Sequence, residues 1–475
     1  MAFVEFCCRS GGNNLNAGTL NGSSTEPAVT AVATYTGGDW NGSNIYTAPI
    51  GANLTEVIAG RYVAICPDGS TVPVSNSYSI HQILSVNSGT REITVRAVSS
   101  YYGAVAFGTV MGSRTGNTTL RIGGAWQGPN GANTFPFNGM NWSVLSVFAG
   151  SVRTNLKNDQ TYNVTTTLTG TGWNVMGYAA AFGDAGRATI DGGTSGASYV
   201  LFTTNFGYSS VSGSSIVADL VFQNNGATGS AGGVVIGSSA IYGLGANLVV
   251  KNMRGIGLLS AGYVFECESF SNVGTGISAA LAVNCISHTN TGSGYATSGR
   301  YLNCIAHHNT VHGFWGYQNS SSLFCEGCDS YMNGVSGFFG ETVNTGSFFI
   351  RNCNAVQNSG HGILIASQGG NANFGVTLLN CGTYGNTLGS IVFTGGTEQV
   401  YLNSGHVAYA SNPYVDAANG DFRLNIATAK NAGRGRFVQT ASGYSGAVSY
   451  PDIGACQSIG GSSKPQHPMS QQVIG

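Results

Sequence analysis

Four acids stand close enough in the sequence to work as pairs. Glu266 and Glu268 flank Cys267, and Glu326 and Asp329 flank a Gly-Cys dipeptide. Two carboxylates on either side of a glycosidic bond can act as acid and base, or as acid and nucleophile. Glu326 has a second role open to it, a rung-to-rung ion pair with Arg351. Asp184 and Asp191 sit among glycines and read as turn chemistry. Histidine is the next candidate. His288 and His307 occupy one phase of a repeat, and His308 follows. Two stacked imidazoles could bind a metal or pass a proton. Phe270, Tyr331, Val356 and Tyr384 share that phase, so an aromatic column that includes the histidines is the favoured reading. Cys325 and Cys328 form a CxxC, but a zinc site wants four ligands, and a buried thiol also packs as a small hydrophobe. No metal or other cofactor is expected.

What would position these residues is a repeat running from Tyr263 to Phe393. Its signature is Cys, four residues, Asn, three residues, Gly, then a large apolar residue. The cysteines are Cys267, Cys285, Cys304, Cys328, Cys353 and Cys381. The asparagines are Asn272, Asn290, Asn309, Asn333, Asn358 and Asn386. Gly276, Gly294, Gly313, Gly337 and Gly362 follow, with Ser390 in the last place. Such periods belong to solenoids. The Cys, the residue three before it, the small residue two after it and the apolar residue ten after it are assigned to the interior. The Asn suits a turn, where it tolerates the left-handed conformation, and stacked Asn can bond to one another in a ladder. The Gly is expected to supply positive φ at the next corner.

Cys-to-Cys spacings of 18, 19, 24, 25 and 28 place every insertion after the apolar strand. The inserted segments are Gly316–Ser322, Gly340–Ser347, Ala366–Asn373 and Thr394–Gln399. Beside them, eleven residues after the Cys, stand Trp315, Phe339, Leu364 and Val392. Alternation turns this phase outward, and an exposed apolar stripe marks an interface. The stripe, with Glu341, Asn344, Asn371 and Asn373 from the insertions, is the candidate binding face.

Composition narrows the class. Charged residues are 8% of the 475, against about 25% in ordinary domains, Gly numbers 73, and net charge is −1. With 22 Tyr and 22 Phe the chain has the apolar surface to fold. A neutral surface argues against nucleic acid, which selects clustered Lys and Arg. No apolar run of membrane-spanning length occurs. The first residues lack a basic start and an apolar stretch of signal-peptide length, so release without the general secretory route is expected.

The segments Asn303-Cys-Ile-Ala-His-His-Asn309 and Asn352-Cys-Asn-Ala-Val-Gln-Asn358 resemble rungs of the right-handed parallel β-helix, or pectate-lyase-like, superfamily. Residues 183–193 resemble an early rung, and residues 416–424 and 452–455 its closing segment. More faintly, residues 10–18 and 38–42 resemble the attachment ends of phage-encoded tailspike-type proteins. The expected architecture is therefore all-β: an N-terminal arm (1–15), a small β-sandwich or barrel (16–122), a right-handed parallel β-helix with its closing segment (123–457) and a mobile tail (458–475). A strand over Gly103–Val110 belongs to the small domain. The superfamily's lyases carry a calcium-binding Asp cluster and a basic residue. Between Tyr263 and Phe393, Asp329 is the sole Asp and Lys is absent, which weighs against that activity.

The leading expectation is a non-enzymatic structural or attachment protein on a virion or extracellular surface. It would associate with itself, as a trimer by family analogy, and with other virion or surface proteins through residues 1–122. The alternatives are a tailspike-type polysaccharide depolymerase, hydrolase or lyase, using Glu266, Glu268, Glu326 and Asp329, and an adhesin that binds cell-surface glycan without turnover.

Overall fold

The computed structural model describes residues 4–11, 20, 26–28, 30–69, 79–96, 113–123, 140–141, 152–171, 174–203, 215–237, 243–296, 299–316, 322–342, 345–367, 373–394, 397–402, 405–426, 428–429, 438–440 and 443–445. The expected strand at Gly103–Val110, Asn344, Asn371, Cys456 and the tail from Ser458 lie outside the described residues. The chain divides into two compact units, Met1–Ala227 with Val234–Leu248, and Thr228–Gly233 with Val249–Gly475.

In the first unit, six antiparallel strands close into a barrel. Their order is Ala33–Trp40, Ile45–Thr47, Glu92–Val95, Ser79–Asn87, Tyr62–Pro67 and Arg114–Ile122, and the last pairs with the first. Alternating apolar residues, among them Trp40, Tyr46, Ile65, Ile93 and Leu120, fill its interior. The choice between sandwich and barrel thus falls to the barrel. Later in this unit the strands turn parallel. Thr161–Asn163, Ala188–Asp191 and Leu220–Gln223 stack in register. Residues 4–8, read from sequence as part of an arm, form a strand parallel to Val152–Lys157. Cys7 and Cys8 are fully buried there.

The second unit holds the repeat, wound as a right-handed parallel β-helix, the hand that parallel crossovers take. From Tyr295 onward each coil supplies one strand to each of three sheets, whereas Leu258–Phe265 and Ile277–Val283 each run through the second and third without a break. The first sheet runs through Val249–Lys251, Glu268–Phe270, Ile286–His288, Ile305–His307, Asp329–Tyr331, Asn354–Val356, Gly382–Tyr384 and Val407–Ala408. The second includes Tyr295–Ala296, Phe314–Gly316, Phe338–Thr342, His361–Ser367 and Gly389–Thr394. The third includes Arg300–Leu302, Ser322–Glu326, Thr345–Arg351, Asn373–Leu379 and Thr397–Leu402.

The interior columns follow the repeat. Val264, Ala282, Tyr301, Cys325, Ile350 and Leu378 are buried, as are all six repeat cysteines. Tyr295, Phe314 and Phe338 stack with ring centroids 4.7 and 4.9 Å apart, the rung spacing of the sheet. The asparagines form the ladder. Asn272 donates Nδ2 to Asn290 Oδ1 at 2.9 Å, and the relay passes through Asn309, Asn333 and Asn358 to Asn386 at 2.9–3.0 Å.

Two readings of the corner change. The left-handed residue is the one before the Asn: Ser271, Thr289, His308, Met332 and Gln357 have φ between 48° and 57°. The repeat Gly is absent from the positive-φ set and is required by space. A Cβ on Gly313 would collide with Ser330 Oγ and lie 2.6 Å from the Gly337 carbonyl oxygen. The side chains that close the ladder leave no room for a methyl.

The insertions differ from simple loops as well. Gly340, Glu341 and Thr342 pair with Ile365, Ala366 and Ser367, so inserted residues lengthen the strands of the second sheet before the chain leaves it. Residues 405–429 close the first sheet. Tyr409, Tyr414, Phe422 and Leu424 pack on Ile305, Tyr331 and Val356. Gly420, at φ 84° after a short 3-10 turn, lets the chain reverse between Tyr414–Asp416 and Asp421–Leu424.

Candidate functional site

The four candidate acids do not converge. Glu326 ends a third-sheet strand, is 2% exposed, and lies 3.7 Å from Arg351 Nε. The two are in register on adjacent strands, so the rung-to-rung ion pair is the role the geometry supports. Asp329 belongs to the first sheet and is fully buried. It accepts hydrogen bonds from Tyr414 Oη at 2.8 Å and Asn354 Nδ2 at 2.9 Å, while Tyr409 Oη donates to Asn354 Oδ1 at 2.8 Å. This carboxylate fastens the closing segment. Glu266 occupies a left-handed corner at φ 54°. Glu268 faces out from the first sheet and accepts from His288 Nε2 at 3.1 Å.

The histidines form the aromatic column. Phe270, His288 and His307 stack at 4.8 and 4.7 Å with interplanar angles of 7° and 3°, and Phe422 lies against His307. Burial, with repulsion from His288 and His308, lowers the His307 pKa to about 3. A ring so disposed is a poor base near neutral pH. Cys325 and Cys328 are free thiols, and no group of three or more His, Cys, Asp or Glu with metal-holding geometry occurs among the described residues.

The stripe on the second sheet is continuous. Ala296 pairs with Trp315, Trp315 with Phe339, Phe339 with Leu364, and Leu364 with Val392. All four large residues are half-buried. Glu341 lies two residues beyond Phe339 on the same strand, so alternation sends it to the same side, and it is 7% exposed. For Asn373 the structure gives the strand pairing alone.

Sequence reading missed His312 on this face. Its ring lies 4.3 Å from that of Phe339, 24° from parallel, and 5.9 Å from that of Trp315. Its Nδ1 accepts from the Ser336 backbone N–H at 3.3 Å, which leaves the proton of the neutral ring on Nε2. Burial lowers its pKa to about 4, so it is an uncharged donor at neutral pH. The signal was legible: eight after the Cys, the repeat reads Thr275, Ser293, His312, Ser336 and His361. The Nδ1 of His361 is buried with no hydrogen-bond partner among the described residues.

A second outward column was also missed. Four before the Cys come Leu281, Arg300, Phe324, Phe349 and Thr377, in register on the third sheet. The Arg300 guanidinium lies 5.3 Å from the Phe324 ring, and Phe324 stacks on Phe349 at 4.7 Å and 8°. Rings stacked along the helix axis cover one another's faces and turn their edges outward.

No protein-family profile and no curated protein matches the chain. Solved structures do. Pectate lyase Pel9A shares 16% identity over 60% of this chain and 88% of its own, with a TM-score of 0.38. The A-module of the Azotobacter vinelandii mannuronan C-5 epimerase AlgE4 shares 13% over 57% and 94%, at 0.37. The Gp54 tailspike of Acinetobacter baumannii bacteriophage AP22, solved with capsular saccharide, shares 9% over 81% and 64%, at 0.21. At these identities the likeness is one of fold.

Proposed function

We propose that this chain is a carbohydrate-engaging β-helix displayed outside the cell, as an attachment protein, and that it holds a saccharide chain along the second-sheet stripe. The observation that carries this reading is the in-register, half-buried run Trp315–Phe339–Leu364–Val392 with His312 beside it. A sugar ring presents C–H faces and hydroxyl edges. A site for it pairs apolar side chains with a few fixed polar groups, here the Nε2–H of His312 and the carboxylate of Glu341. Repetition at the rung spacing suits an extended polymer better than a single sugar.

Holding the chain without cutting it is the favoured form. Two-acid hydrolysis needs carboxylates on both sides of the bond. By sequence, Glu341 is the only acid between the ladder asparagines and the third-sheet strands of the six repeats, Glu398 lying within the third-sheet strand Thr397–Leu402.

The test is affinity electrophoresis of the full chain through gels containing soluble polysaccharides. Retardation by at least one polymer is expected, with dissociation constants raised about tenfold or more in Trp315→Ala and Phe339→Ala at unchanged circular dichroism. Full retention of binding in both variants overturns the stripe as the site. Release of reducing ends or unsaturated uronates by the wild type would replace holding with cleavage.

A second reading concerns assembly. The edge-out column of Leu281, Phe324 and Phe349 on the third sheet favours self-association there, as apolar ring edges do in protein interfaces. Sedimentation of Phe324→Ser beside the wild type tests it, and a monomeric wild type removes it.

A further inference from the structure

The charges on the candidate face name the class of saccharide. In each of the six repeats, the stretch from the ladder Asn to the start of the third-sheet strand contains the second-sheet strand and whatever insertion follows it. These stretches are Asn272–Ala280, Asn290–Gly299, Asn309–Ser322, Asn333–Ser347, Asn358–Asn373 and Asn386–Gln399. They contain no Lys and no Arg. Their only formal charges are Glu341 and, already within the third-sheet strand Thr397–Leu402, Glu398, both negative. Two histidines stand among them; the buried ring of His312 is uncharged at neutral pH.

From this we infer that the stripe selects uncharged, hydroxyl-rich polysaccharides and rejects polyuronates and other anionic chains. The inference rests on the stripe being the binding face.

The physical argument is a balance of charge and desolvation. A carboxylate on every sugar, or every second one, would be brought against an apolar strip that offers it no cationic partner. Losing water there without an ion pair or a strong donor is costly. It would also meet the carboxylate of Glu341, 7% exposed on the side of the strand that Phe339 faces, where low local dielectric strengthens repulsion. Proteins that bind carboxylated or phosphorylated chains use Arg and Lys because those side chains match the anion in charge and geometry. This chain has such residues elsewhere in the same unit, including Arg300 and Arg351 on the third sheet. Their absence from the second-sheet stretches is therefore local. A neutral sugar asks for apolar contact, a donor and an acceptor. The stripe, His312 Nε2–H and Glu341 provide those three.

The experiment uses the full chain at pH 7 in affinity gels containing three neutral polymers (dextran, galactomannan, xylan) or three anionic ones (alginate, polygalacturonate, hyaluronan). Each is run at low and at moderate salt. Retardation by one or more neutral polymers, none by the anionic set, and loss of the neutral signal in Trp315→Ala are expected. Glu341→Lys is expected to gain measurable retardation in alginate that fades with added salt. If an anionic polymer retards the wild type and Trp315→Ala abolishes that signal, the stripe stands as the binding face and the charge inference is overturned. If Trp315→Ala changes no signal, neutral or anionic, the stripe itself is overturned and this inference with it.

Discussion

The imidazole of His312 lies 4.3 Å from the ring of Phe339 on the next rung, and its Nδ1 receives the backbone N–H of Ser336. The contact ties the outward stripe to the corner column, so the stripe's first polar neighbour is held in one tautomer. It also makes the face sensitive to acid. Burial lowers the His312 pKa to about 4 from the ordinary 6.5 or so of an unfolded histidine. The unfolded chain then binds the proton more readily than the folded one. The associated stability is present in full above the unfolded value and is lost as pH falls toward 4. His307, at about 3, acts in the same direction over a wider window. Unfolding free energy should fall between pH 7 and pH 4, and His312→Phe should remove on the order of 2 kcal/mol of that fall. An unchanged slope in the variant would show that the ring is not held neutral by burial.

The asparagine ladder gives a graded series. Asn333 accepts from Asn309 and donates to Asn358 in the middle of the run, so Asn333→Ala strands buried groups on both sides. A cost of about 2–4 kcal/mol is expected from two unsatisfied partners. Asn386 ends the run and is half-exposed, so Asn386→Ala should cost less than half as much. Urea unfolding of the two variants measures the difference, and equal costs would refute a chain of dependent bonds.

The repeat glycine is set by space. Gly313→Ala should destabilise by several kcal/mol or prevent folding, since its Cβ would meet both Ser330 Oγ and the Gly337 carbonyl oxygen. Gly420 has φ 84° and open space around it, so Gly420→Ala should cost only about 1 kcal/mol of backbone strain. Thermal melts of the two variants decide whether crowding or backbone conformation governs the repeat position.

Asp329 should behave as a fastener. Asp329→Ala leaves Tyr414 Oη and Asn354 Nδ2 without their acceptor. Limited proteolysis is expected to cut within residues 405–429 several-fold faster than in the wild type, with polysaccharide retardation unchanged. Loss of retardation at unchanged proteolysis would return Asp329 to the binding or catalytic machinery.

The thiols should be silent. Ten of the eleven cysteines are described, and all ten are free and buried. Burial pushes the Cys7 thiol up to about 12 and also raises Cys66, which removes the reactive thiolate at those positions. Cys304, drawn down against its burial by hydrogen bonds from Cys285 and Cys328, is shielded by being fully buried. Titration with a thiol reagent should count at most one fast group in the native protein and eleven in denaturant. Several fast native groups would contradict the packed column.

Much of this molecule was legible as a string of residues. A period of Cys, Asn, Gly and an apolar residue fixes which side chains face inward, because a parallel β-helix places like positions on like positions one rung apart. The same logic put Trp315, Phe339, Leu364 and Val392 in one outward line and allowed an Asn ladder. Other features depend on contacts between residues distant in sequence. Tyr414 comes 85 positions after Asp329, and no periodicity announces that a closing segment will cover that acid and give it a structural role. Gly313 looked like a turn glycine until Ser330 and Gly337, on the next coil, were seen to fill the space a Cβ would need. The phase of His312 is legible in the repeat, but its contact with Phe339 on a neighbouring strand is not. The repeat sets the phase of each side chain, since phase follows from local backbone geometry. Which groups are covered, crowded or neutral is decided by the neighbours that coiling brings against them.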